Sequence, residues 1–262
     1  MPNYYIGSVE YVPGTYPRKR PGAAELADRC IREWEAARQR SRERFRKLRL
    51  PPSICFSRKI GVGALEVAEL VAKRTGLRVV DREILEAIAA SGRISEKTVD
   101  LFDEKYPGRV QDFLSMVLGE KSFVMSDYAR NLFSSIYTIA GMSSVIFVGR
   151  GTHLLLPRDR VLAVRFVASD GSRIARLAAE FSLRELDAAE QVRDIDRQQE
   201  EFYRKVFDKG AADPTEFDLT INLDQIRPPI AALLVDTAFR EKYAGELSLA
   251  ARPEFPEQTV SP

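Results

Sequence analysis

From Ser53 onward, short apolar runs alternate with longer stretches whose apolar residues recur every three or four positions, and that rhythm leaves few folds open. Runs at 53–57, 77–80, 144–148, 161–168 and 219–223 read as strands. The stretches 64–74, 82–90, 95–104, most of 109–140, 171–181, 186–207 and 228–243 read as helices. In the first of these, Leu65, Ala68, Val71 and Ala72 share one face and Gly76 supplies a stop; Ser95 stands as the N-cap of the third. A strand that reaches the next strand through a helix runs parallel to it by a right-handed crossover, and helices then cover both faces of the sheet. The expectation is an α/β domain over 53–243, with a five-stranded parallel sheet as the middle of three layers.

The flanks differ in character. Prolines at 2, 13, 17 and 21 forbid a continuous helix over 1–22 and suit an extended arm. Residues 23–50 lack Gly and Pro and read as one arginine-rich helix, ended by Pro51 and Pro52. The net charge of +2 conceals this: residues 1–49 hold 12 Lys and Arg against 6 Asp and Glu, whereas 50–262 hold 28 against 32. Arginines at 38, 40, 42, 44 and 46 spread around a helical cylinder, which disfavours a membrane-lying helix or a nucleic-acid arm. The segment 1–52 is expected to pack through Leu26 and Trp34 on the domain, on a second copy or on a protein partner. The polar tail 244–262 is expected to be disordered.

Several functional classes drop out. Residues 1–10 lack the basic start and apolar core of a secretory signal, and no apolar run nears the roughly 18 residues of a membrane span. Two cysteines, Cys30 and Cys55, and one histidine, His153, make neither a disulfide framework nor a zinc centre. A cytoplasmic protein with no metal ligands of its own is expected.

Four strings carry chemistry. Ser57 to Glu66 (SRKIGVGALE) follows the first core strand and opens the first core helix. Gly61 and Gly63 there would let backbone N–H groups curl inward and cradle phosphate, with Arg58 and Lys59 beside them. The same glycines would also serve a plain strand-to-helix turn, and the string alone does not decide. The full Walker pattern is absent, because Ala64 stands where a lysine would follow Gly63. Asp81 and Arg82 close the second strand, where ligands meet a parallel sheet. Asp81 would accept from a base or ribose, or simply cap a helix; Arg82 would grip phosphate. Arg150 sits between Gly149 and Gly151 after the third strand, a setting that suits bidentate binding of a phosphate or carboxylate. His153 reads as a packed or solvent histidine. The late helices carry Arg173, Arg176, Arg193, Arg197 and Arg204, interleaved with acids that would equally make an ion-paired surface.

In order and spacing, these strings resemble the cytidylate kinase-like family, a branch of the P-loop nucleoside monophosphate kinases. The resemblance covers roughly 53–239 and also draws on Asp196, Arg197, Tyr203 and Arg204 in the lid region and on Asp213, Pro214, Phe217, Asp218 and Leu219 before the last strand. It implies transfer of the γ-phosphoryl of ATP to a (deoxy)nucleoside monophosphate such as CMP, with magnesium arriving on ATP. Arg58, Gly61 and Gly63 would line the phosphate loop. Asp81, Arg82 and Arg150 would hold the acceptor, and Arg173, Arg197 and Arg204 would supply lid charge. No catalytic base is assigned. The sequence departs from the family at Val62, Ala64 and Leu65 in the loop, where Ala64 adds a methyl and Leu65 replaces an arginine, and at Gln198 and Gln199 in the lid, where cations are usual. An inactive nucleotide-binding or protein-interaction module on the same fold is the alternative.

Overall fold

The computed structural model describes residues 4–6, 9–11, 32, 50–82, 84–85, 127–207, 209–210 and 212–246. Strands β1 (Tyr4–Ile6) and β2 (Val9–Tyr11) pair antiparallel, so the arm begins as a hairpin. The core follows as β3 (Ser53–Arg58), α1 (Ala64–Thr75), β4 (Arg78–Asp81), α2 (Asp127–Met142), β5 (Val145–Val148), α3 (Thr152–Leu155), β6 (Val161–Val167), α4 (Asp170–Phe181), α5 (Glu185–Phe207), β7 (Leu219–Asn222) and α6 (Pro228–Lys242). The core strands form one all-parallel sheet in the order β4-β5-β3-β6-β7. All five expected strands are present, with ends shifted by a residue or so.

Alternation along the central strand builds the layers. Ile54 and Phe56 face one side and join Val67, Val71, Val235 and Phe239, so α1 and α6 cover that face. Cys55 faces the other and joins Leu132, Ile136, Leu155 and Phe207 from α2, α3 and α5. Both faces are therefore dry, as a parallel sheet requires. Burial raises the Cys55 thiol to about 12, which makes it packing material and not a nucleophile. A third cluster seats Ile60 of the loop among Leu177, Ala188, Val192 and Ile195 of α4 and α5.

Local signals place the ends. Gly63 and Gly76 flank α1 in left-handed conformation, and the Gly76 N–H donates to the Ala72 carbonyl. Ser169 caps α4 by accepting from the Ser172 N–H. The expected helix at 95–104, most of that at 82–90, the first half of 109–140 and nearly all of the basic helix at 23–50 lie outside the described residues. Glu246, assigned by sequence to the tail, forms a two-pronged ion pair with buried Arg160. Arg160 Nε also donates to the Leu50 carbonyl at 2.6 Å. Among the described residues, no helix is long and apolar enough to cross a membrane.

Candidate active site

Parallel pairing brings the carboxyl ends of β3, β4 and β5 to one edge, and each end is followed closely by an arginine. Arg58, Arg82 and Arg150 line one cleft of about 170 Å³, together with Gly149, Ile195, Gln198, Gln199, Phe202 and Tyr203. Among the described residues that line it there is no carboxylate. Arg150 has φ 55°, between Gly149 at 88° and Gly151 at 65°, so three successive residues are left-handed. Strain at a non-glycine residue persists only where its surroundings enforce it. Here the Arg150 guanidinium lies 4.5 Å from the centre of the Phe202 ring, and the Gly149 N–H is held by the Phe56 carbonyl. At Gly151 an added Cβ would come within 2.5 Å of the Phe207 ring, so glycine is what lets α5 close on this turn.

The glycine loop lies at the same edge and packs against α4. Gly61 and Gly63 have φ of 75° and 90°. An added Cβ at Gly61 would meet the Arg173 carbonyl at 2.6 Å; at Gly63 it would meet the Arg176 guanidinium at 2.8 Å. Arg176 therefore covers the start of α1, with Glu66 at 3.4 Å.

Five other charged candidates, Arg173, Asp81, Arg197, Arg204 and Lys59, do not line the cleft. Arg173 is no free lid cation. It is 1% exposed; its Nε donates to the Ile60 carbonyl at 2.8 Å and its fork grips Asp196 at 2.6 and 3.0 Å. Asp81 is buried, does not line the cleft, and accepts from the Ile84 N–H at 3.1 Å, the capping role. Arg197 and Arg204 are exposed on α5 outside the cleft lining, and Arg197 pairs with Asp194 one turn away. Lys59, offered as loop charge, is paired with Asp196 at 3.0 Å.

Among the described residues nothing fits a protein-held magnesium: Ala64 and Leu65 after the glycines carry no side-chain oxygen and are buried, and no group of three acids, histidines or cysteines that could hold a metal occurs there.

The sequence profile of the cytidylate kinase-like family matches residues 53–225, well over half of the chain. The chain belongs to the cytidylate kinase-like family. An uncharacterised protein from Eubacterium ventriosum has a similar crystal structure, with TM-score 0.55 and 16% identity over 74% of this chain and 98% of that one. At that identity the likeness speaks to the fold. A shikimate kinase from Bacteroides thetaiotaomicron has TM-score 0.40 and 14% identity over 72% of this chain and 97% of its own. A gluconokinase from Sinorhizobium meliloti has 0.41 and 14% over 78% and 100%. No curated protein matches the chain.

The residues that sequence reasoning did not assign to the cleft wall are Phe202, Tyr203 and the two glutamines. Burial raises the Tyr203 phenol. The i, i+3, i+7 spacing of Asp196, Gln199 and Tyr203 puts them on a common face.

His153 lies beneath this turn, 4.8 Å from the Phe217 ring, with Nε2 3.6 Å from Glu216 Oε2. Burial lowers its pKa to about 4, against the pull of Glu216 and aided by Lys209 and Arg158. The unfolded chain takes up this proton near pH 6.5, whereas the folded chain resists it. Its contribution is therefore complete above about pH 6.5 and declines by about 1.4 kcal/mol per unit as pH falls toward 4. Urea melts at pH 7, 6 and 5 should show that slope, and His153→Phe should flatten it. An unchanged slope in the variant would remove His153 as the cause. As the sole histidine, its C2 proton gives an unambiguous NMR titration.

Proposed function

We propose that this protein transfers the γ-phosphoryl of ATP to a nucleoside monophosphate, CMP being the acceptor its family implies, with the acceptor phosphate held by Arg58, Arg82 and Arg150. The observation that carries this is that arginines from three neighbouring strand ends, Arg58, Arg82 and Arg150, line one cleft. Cations so grouped repel one another, and a phosphate dianion offsets that repulsion while accepting paired hydrogen bonds. ATP would enter along Gly61 and Gly63, its phosphates facing the first N–H groups of α1 and Arg176. Any magnesium would travel on those phosphates.

No catalytic base is needed. The second pKa of a phosphomonoester lies near 6, so the acceptor is mostly dianionic at neutral pH. Its oxygen bonds to the γ-phosphorus as the bond to the bridging oxygen breaks, and ADP leaves with that electron pair. The protein's share is alignment and charge. Such chemistry suits the reducing, ATP-rich cytoplasm.

A second reading, binding without turnover, is supported by the lid: Gln198 and Gln199 stand at cation positions and Arg173 is spent on Asp196. Calorimetry with a panel of monophosphates, alongside coupled detection of ADP, separates the two. Binding with ADP release supports the kinase; binding alone supports the module. Failure of every monophosphate to bind the wild type would overturn both.

A further inference from the structure

Where a nucleoside monophosphate kinase has a moving lid, this chain has a wall tied down at three consecutive residues. The Arg58 carbonyl accepts from Gln199 Nε2 at 2.9 Å. The Lys59 ammonium reaches Asp196 at 3.0 Å and Glu200 at 3.8 Å. The Ile60 carbonyl accepts from Arg173, itself clasped by Asp196. Asp196, Gln199 and Tyr203 are three and four residues apart, so one stripe of α5 sits on the end of β3. Ile195, Gln198 and Phe202, beside that stripe, face the cleft together with Gln199 and Tyr203.

We infer that Gln199 is a positioning residue: its carboxamide fastens α5 to the backbone of Arg58 and so presets the cleft for an anionic acceptor without lid closure. Arg58 is both the residue being held and a cleft arginine, so the bond sets the distance from its backbone to the facing wall. A neutral amide does this without adding a fourth cation to three. The loss of a lid charge is thereby a gain of fixed geometry. The link to the acceptor rests on the reading of the three-arginine cleft given above; the fastening itself does not.

The test uses the full chain. Gln199→Glu keeps size and shape but replaces the donor with an oxygen; Gln199→Leu removes the donor without adding charge. A net hydrogen bond lost corresponds to between about threefold and tenfold faster opening. Amide exchange of residues 193–204, measured without ligand, should quicken by that factor in both variants. Gln198→Glu, which brings the same charge without touching the Arg58 carbonyl, should leave that exchange unchanged. The dissociation constant for CMP should rise in Gln199→Leu by a similar factor. Unchanged exchange in both Gln199 variants would overturn the inference, as would strong new protection of α5 when CMP binds the wild type, because that is lid closure. If CMP fails to bind the wild type while exchange responds as stated, the acceptor reading falls and the fastening stands.

Discussion

Arg150→Met is expected to weaken CMP binding by about 100-fold, the loss that follows when one charge-assisted, partly desolvated guanidinium contact of about 2–3 kcal/mol is removed. The stem remains, so packing on Phe202 is kept in part and the change reports the charge. Arg150→Lys should not restore affinity. A lysine ammonium cannot present two parallel donors, and it forfeits the flat stacking that places the guanidinium 4.5 Å over Phe202. Calorimetric titration of wild type, Met and Lys forms checks this. Equal affinities across the three would show that the acceptor lies elsewhere. Arg82→Met and Arg58→Met should each cost about tenfold or more by the same physics, with turnover lost in step.

Arg173→Met should do the opposite: little to the cleft arginines directly, much to the fold. It strips the Ile60 carbonyl of its donor and leaves Asp196 with Lys59 alone. Breaking a buried pair from one side costs about 3–5 kcal/mol. For a domain of this size that is a melting temperature lower by on the order of 10 °C. Arg173→Lys should not rescue it, since one ammonium cannot serve a carbonyl and two carboxylates on separate elements. Thermal denaturation followed by circular dichroism measures the shift; a change within about 2 °C would mean that the buried fork contributes nothing net.

These two arginines show what a sequence reveals and what it hides. The sheet was legible because its strands are apolar runs set off by Gly, Pro and charge, and parallel order follows from the helices between them. That order alone puts Arg58, Arg82 and Arg150 at one edge, so their meeting in a cleft needed only the fold. Arg173 was not legible as a buried anchor. Besides Asp170 one turn earlier, its partners are Asp196, 23 residues on in α5, and the Ile60 carbonyl, 113 residues earlier. No local pattern separates it from exposed Arg197 on the next helix. Gln199 read as a lost cation because its partner is a backbone carbonyl 141 residues away, and a backbone carbonyl leaves no mark in a sequence. Asp81 was legible only as two alternatives, and its carboxylate accepts from the Ile84 N–H, as a cap does.

Arg160 carries a consequence for engineering the chain. One guanidinium holds the Leu50 carbonyl and the Glu246 carboxylate, so the two ends of the core domain are stitched together at the amino edge of the sheet. The length of β3, roughly 20 Å at about 3.3 Å per residue, separates that stitch from the cleft. A permuted gene that joins 246 to 50 through a short linker and opens the chain at a distant surface turn would therefore preserve the sheet order and the cleft, while placing new termini wherever a reporter or tether is wanted.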